Sequence, residues 1–152
     1  MTEKDCFICQ KHKEEIQTVG VKVFEDNYLY VGHIDKAKEV NYLGHIMIDL
    51  KRHVATLLEM NPAEAKAFGV MMGRTSKALM ESEKAEHVYA LVSGNSVSHL
   101  HMHLVARYPN TPEEFWGPLD VYDSPNARMG DSGEVIKLCN RIKVYMEGNP
   151  YE

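Results

Sequence analysis

The chain has 152 residues, 44% of them apolar and 26% charged, an ordinary balance for a globular protein of one domain whose core needs no covalent staples. Its formal net charge of −5 argues against broad binding to nucleic acid or an anionic membrane, yet permits a local site that opposes the global charge and takes a small anion. Three cysteines, no apolar run near the roughly 20 residues of a membrane span, and a start ("MTEKDCFICQKHKEE") without an export-type apolar region lead us to expect reduced thiols and a cytoplasmic protein.

In chain order, "VKVFED" (21–26) and "YLYVGHI" (28–34) read as strands, rich in Val, Tyr and Phe, with Asp26-Asn27 as the turn between them. The "DKAKEVNYL" segment reads as a loop, and "GHIMIDL" (44–50) as a third strand that ends in the basic "KRH" of 51–53. The clearest helix spans 61–82: Asn61 caps it, Pro62 suits its first position and Glu64 completes the cap. Ala65, Phe68, Met72, Ala78 and Leu79 fall near one apolar stripe of that helix. Gly69 and Gly73 either permit a close approach to this helix or are merely tolerated in it.

Two more strands follow, at 86–93 and 99–106. Pro109, Pro112 and Pro118 then force an irregular stretch around Trp116, and 132–147 is a final helix, capped by Ser132, with Val135, Leu138, Cys139, Ile142 and Met146 on its apolar side. Strands, long helix, strands, helix is an α+β order: about five strands in a mainly antiparallel sheet, one long central helix and a C-terminal helix. No internal repeat or linker divides residues 1–152, so a single domain is expected.

Three of the eight histidines lie within five residues of "SHLHMHLVAR" (98–107). Side chains of a strand alternate between faces, so His99, His101 and His103 point one way, while Leu100, Met102 and Leu104 point into a core. Three readings fit such an imidazole face: a solvated polar surface, a metal site using two or three of the rings, or a catalytic constellation for an anionic substrate. "CFIC" at 6–9 is likewise open. It is half of a tetrahedral zinc site, a redox pair without the usual preceding strand, or two buried thiols.

"HLHMHLVA" resembles the His-φ-His-φ-His-φ-φ signature of the histidine triad (HIT) family of nucleotide hydrolases and transferases, where φ is apolar. "SGNSVSH" is similar to the family's lead-in to the triad; Gly94 and Ser96 match, and Asn95 stands where Gln is usual. "GHIMIDLKRH" resembles the family's Gly-His strand, with Leu50 in place of a proline, and the likeness runs over about residues 5–116.

The resemblance implies that His101 is a nucleophile that forms a covalent nucleotidyl-histidine, its Nδ1–H donating to a backbone carbonyl so that Nε2 is free. His103 would then hydrogen-bond phosphate or the leaving group, and Asn95 and Ser96 would donate to phosphate or the bridging atom. His45 would support the triad strand, or is a plain core histidine. Ribose contact falls to Asp35, or to Asn27, which is equally a turn residue. In a zinc-bearing branch of the family, the N-terminal Cys pair is completed by residues matching His53 and His99. Cys6, Cys9, His53 and His99 are thus the expected ligands of a structural zinc, although His53 is also readable as one exposed member of the basic cluster.

Substrates implied are nucleoside phosphoramidates or dinucleoside polyphosphates, bound by a homodimer that pairs through the long helix and a strand edge. Two other functions compete: a metal-dependent hydrolase using the histidine cluster, and a nucleotide-binding module without turnover. Trp116 either walls the pocket or anchors its Pro-rich loop, Arg107 either holds phosphate or lies on the surface, and the lysine and arginine of "KRH" either steer an anion or are simply solvated.

Overall fold

The computed structural model describes residues 2–18, 20–36 and 38–151. A short helix α1 (Phe7–His12) precedes strands β1 (Val21–Glu25), β2 (Leu29–His33), β3 (Asn41–Tyr42) and β4 (His45–Leu50). Helix α2 (Pro62–Ser82), strands β5 (His87–Leu91), β6 (His101–Arg107) and β7 (Met129–Gly130), and helix α3 (Ser132–Gly148) complete the chain. The architecture is α+β. Five strands form one antiparallel sheet in the order β1-β2-β4-β6-β5, and β3 and β7 pair separately.

Period-two alternation divides the sheet into two unlike faces. On β4, Ile46, Ile48 and Leu50 are fully buried and face the helices, as do Leu104 and Ala106 on β6. Against them pack Phe68, Met71, Ala78 and Leu79 of α2 and Val135, Leu138, Cys139, Ile142 and Met146 of α3. The opposite face carries His45, Met47 and Asp49 of β4 beside Val105, His103 and His101 of β6, because the register sets His45 opposite Val105, Met47 opposite His103 and Asp49 opposite His101. His45, His101 and His103 therefore lie on the side away from the main core, whereas His33 of β2, opposite Ile46, shares the core side.

Local signals explain the long helix. Asn61 accepts from the Glu64 N–H at 2.9 Å, and the Glu64 side chain accepts from the Asn61 N–H at 3.0 Å, with Pro62 opening the first turn. Its buried stripe differs from the one expected. Ala65 is exposed and Met72 half-buried, whereas Glu64, Met71 and Thr75 are buried. Glu64 tolerates this position because Arg52 meets it with two hydrogen bonds, 2.7 and 2.9 Å. On α3 the apolar side is the expected one, but the cap is Asp131, whose carboxylate accepts from the Glu134 N–H at 3.0 Å. Ser132 instead opens the helix and donates its hydroxyl to Asp35 at 2.8 Å. The segment read as a loop before β4 contains β3, and β6 starts at His101, so His99 sits just ahead of the strand.

One carboxylate joins the end of α2 to α3 and to the segment before β7. Glu83, its side chain 1% exposed, accepts from Arg141 at 2.7 and 2.9 Å and from Arg128 at 3.0 Å. Burial pushes this carboxyl up, but Arg141 and then Arg128 outweigh it, so it titrates below its ordinary 4.5. A depressed folded value contributes stability that is complete above 4.5 and is lost as pH falls through that lower value. Replacing Glu83 with Gln should therefore lower stability at pH 7 by about 3 kcal/mol and flatten its decline in acid. Denaturant titrations of both proteins between neutral pH and pH 3 measure the two effects; equal acid slopes would count against this role.

Candidate active site

The site is built outward from a buried histidine that no sequence motif marks. His33 of β2 donates its Nδ1–H to the Ile34 carbonyl at 2.5 Å, which leaves Nε2 to accept from the backbone N–H groups of Gly44 at 2.9 Å and His45 at 3.3 Å. Burial lowers its pKa and keeps it neutral, as an acceptor must be. Gly44 itself is required: its φ is +99°, and a Cβ there would meet the Ala106 Cβ at 2.9 Å and the Tyr108 hydroxyl at 2.5 Å. The Gly-His pair is thus a backbone device that delivers the next side chain.

That side chain, His45, lies across the strand pair from the triad. Its Nε2 is 2.9 Å from His103 Nδ1, and its Nδ1 meets the hydroxyl of Tyr122. Burial, then the nearby His103 and His33 rings, pulls His45 down to about 3. His103 is also lowered, by burial and then by His101. His101 is 5% exposed and its Nδ1 lies 2.7 Å from the His99 carbonyl, which makes Nδ1 the protonated nitrogen and leaves a lone pair on Nε2. Neighbouring imidazoles on one strand face are therefore held by different partners.

His101 and His103 border a cleft of about 480 Å³, within the usual size range of small-molecule sites. Met47 and Asp49 share its floor, Phe7 and Lys11 of α1 form one wall with Ser96 and Val97, and Asp35 lies on its border. Asp49 and α1 supply what sequence reasoning missed. The Asp49 carboxylate is almost wholly buried, ion-paired to Lys11, and 3.2 Å from His12 Nε2. Burial opposes its charge, but His12 and Lys11 prevail and its pKa is lowered. His12 stacks on Tyr30, with ring centroids 4.9 Å apart. The only signal in the sequence was an acidic residue in an otherwise apolar strand, on the same alternation as His45.

The residues expected to touch substrate separate. Ser96 and Asp35 border the cleft, although Asp35 also accepts from Ser132 at 2.8 Å and Asn41 at 3.2 Å. Asn95 is exposed on the loop ahead of the triad and does not border the cleft. Asn27 lies in the β1–β2 turn beside a different hollow, with Lys22, Lys51 and Lys143, the last of these on α3. The hairpin turn thus carries Asn27 away from the triad.

The four expected metal ligands do converge. One donor atom from each of Cys6, Cys9, His53 and His99 lies within 4.8 Å of the others. Cys9 Sγ is 3.3 Å from His53 Nδ1 and 3.4 Å from His99 Nδ1; Cys6 Sγ is 3.4 Å from His99 Nδ1, and the two Nδ1 atoms are 3.2 Å apart. A tetrahedral ion with bonds of about 2.0–2.3 Å has donor–donor edges of roughly 3.3–3.8 Å, so the set fits such an ion with no position left open. His99 Nε2 is 2.5 Å from the Leu50 carbonyl, which turns Nδ1 toward the cysteines. Among the described residues, His101 and His103 stand outside this cluster, so His99, His101 and His103 do not form one metal site.

The remaining candidates are structural. Arg107 is buried, neither at the surface nor in the cleft: its guanidinium lies 3.7 Å from the Trp116 ring centroid and donates to Tyr89 at 2.8 Å. Trp116 donates to the Thr111 carbonyl at 2.9 Å and so anchors the Pro-rich loop. In the "KRH" cluster, Lys51 pairs with Glu25, Arg52 with Glu64, and His53 joins the cysteines, so each of the three has a partner.

Comparison with known proteins agrees with this architecture. A family model described as the HIT domain matches residues 14–110. The fold is similar to that of a zinc-bound histidine triad family protein from Mycobacterium smegmatis (TM-score 0.72, 16% identity, covering 97% of this chain and 99% of that one). It is also similar to a hypothetical histidine triad nucleotide-binding protein from Sulfolobus tokodaii (TM-score 0.70, 19% identity, 94% and 93% covered). A third similar fold is the diadenosine triphosphate hydrolase of Plasmodium falciparum (TM-score 0.62, 14% identity, 88% and 80% covered).

Proposed function

Because the chain belongs to the histidine triad (HIT) family, we propose that it is a nucleotide hydrolase or nucleotidyl transferase that works through a covalent nucleotidyl-His101. Its substrates would be nucleoside phosphoramidates or dinucleoside polyphosphates. The observation that carries this reading is the single hydrogen bond from His101 Nδ1 to the His99 carbonyl, at 2.7 Å, on a ring that borders the cleft. In the neutral ring this bond places the proton on Nδ1 and the lone pair on Nε2, and attack on phosphorus requires that lone pair.

The Nε2 lone pair would form a bond to the α-phosphorus as the P–N or P–O bond to the leaving group breaks. That bond's electron pair departs with the leaving group, and an amine leaving group takes its proton from water. Water oxygen then bonds to phosphorus, the P–N bond to His101 breaks, and its electron pair returns to Nε2. A nucleoside monophosphate leaves, and the proton of the attacking water passes to solvent. His103 and Ser96 are assigned as hydrogen-bond donors to phosphate oxygens, where developing charge makes each donor count most. Asp35 is assigned to the sugar hydroxyls.

We assign the Cys6, Cys9, His53 and His99 set to zinc, in a structural role. Two thiolates and two imidazoles suit that ion, and with all four positions filled it supplies no water or vacancy for chemistry. Its effect is to tie α1, and with it Lys11, to the approach of the triad strand.

The face of α2 that meets neither the sheet nor α3 exposes Val70 and Met80, and a Cβ at Gly69 would meet no atom within 4 Å. Strand β5 is an open edge of the sheet. We assign both to a homodimer interface. No described helix is long and apolar enough to cross a membrane.

Incubation with a panel of phosphoramidates and dinucleoside polyphosphates, then rapid quenching, should give a mass increment of one nucleoside monophosphate. Exchange of His101 for Asn should abolish the increment and lower turnover by a factor on the order of 10³ or more. An adduct that persists in this variant would sink the assignment. Protein prepared without chelators should hold about one zinc per chain; Cys9→Ser should lose it and melt at lower temperature, and a metal-free wild type would exclude zinc. Sedimentation should give twice the monomer mass, and a monomer at micromolar concentration would rule out the proposed dimer.

A further inference from the structure

Tyr122 lies in the short turn Asp120–Asp123, beyond the 14–110 stretch that the family model matches, yet its hydroxyl meets His45 Nδ1. The ring is held against Tyr42, with centroids 4.9 Å apart, in a small cluster with Val105 and Val121. Burial pushes this phenol up to about 12, so it keeps its proton near neutral pH, while His45 at about 3 stays uncharged. The contact can then be made in two ways. Either Tyr122 is the donor and Nδ1 the acceptor, or the reverse.

The second arrangement is the poorer one. If His45 Nδ1–H donated to the phenol oxygen, the hydroxyl hydrogen would need another acceptor, and among the described residues it has none. With Tyr122 donating, the phenol hydrogen and both nitrogens of His45 are matched. His45 is then protonated on Nε2, and Nε2–H donates to His103 Nδ1 at 2.9 Å. His103, lowered and neutral, then carries its one proton on Nε2. His101, two residues away, has the opposite tautomer because its Nδ1 faces the His99 carbonyl.

We infer that Tyr122 is a positioning residue that sets the tautomers of His45 and, through it, of His103, so that His103 presents an N–H where His101 presents a lone pair. One alternating strand face thereby offers a donor and a nucleophile side by side. The catalytic meaning rests on the nucleotide-transfer reading above: an N–H beside phosphate attracts its oxygens, whereas a bare Nε2 would repel them. The tautomers themselves do not depend on that reading.

Long-range ¹H–¹⁵N spectra of the imidazoles in the wild-type protein, with no nucleotide added, provide the test. They should show Nε2–H for His45 and His103 and Nδ1–H for His101. In Tyr122→Phe, which keeps the ring, the amide spectrum should be preserved while His45 shifts toward Nδ1–H. With adenosine phosphoramidate as substrate, kcat should fall about fivefold or more, the worth of one hydrogen bond, with KM changed less. A wild-type His45 protonated on Nδ1, or a Tyr122→Phe spectrum with unchanged imidazole nitrogens, overturns the inference. Wild-type protein with the expected tautomers but no turnover of nucleotides would overturn the proposed function and leave the assignment of Tyr122 standing.

Discussion

Imidazoles crowded on one side of an antiparallel strand pair must stay uncharged, and each must find its own hydrogen-bond partner. The rest of the structure follows from meeting this constraint. Burial lowers His33, His45, His99 and His103 alike, which removes the mutual repulsion that protonated rings would suffer. A neutral imidazole has one donor and one acceptor, so its partner fixes which nitrogen is free. The Ile34 carbonyl does this for His33, Tyr122 for His45, the Leu50 carbonyl for His99 and the His99 carbonyl for His101. Similar side chains thereby acquire different tasks: a clamp for a backbone, a relay, a candidate ligand and a candidate nucleophile.

The two faces of the sheet divide the work. Helices α2 and α3 bury the aliphatic face and supply the hydrophobic part of the stability. The opposite face is covered by α1, by the β3–β7 pair and by the loops after β6, which leaves a cleft open at His101 and His103. Here charged groups are buried beside partners, although His12 Nδ1 and Asp49 Oδ1 have no hydrogen-bond partner among the described residues. The Lys11–Asp49 pair with His12, and Arg107 against Trp116, show that charge enters this face only when held.

Much of the fold was legible because its signals are local. The Asn61–Glu64 cap, the strands around "GHIMID" and the apolar side of α3 follow from periodicity and capping chemistry, which short windows of sequence contain. The departures are where a distant partner changed the meaning of a residue. Glu64 is buried on an apolar stripe because Arg52 reaches it, and Asp131 took the cap expected of Ser132, freeing that hydroxyl for Asp35. Of the two readings of Asn27, ribose contact or turn residue, the structure has the turn, beside a hollow away from the triad, because the direction of a hairpin turn relative to the sheet faces is not written in its own residues.

The alternation of His99, His101 and His103, the glycine before His45 and the Cys-x₂-Cys pair are properties of covalent order, and order alone marked them as chemistry. What order could not hold was which nitrogen of each ring is free, that Asp49 and Lys11 belong to the cleft, and that Tyr122 reaches back to His45. These depend on strand register and on contacts between residues 37 to 77 positions apart, and such neighbours exist only once the sheet has closed. A side chain's type is local, but its hydrogen-bond partner is set by the packing of the whole chain.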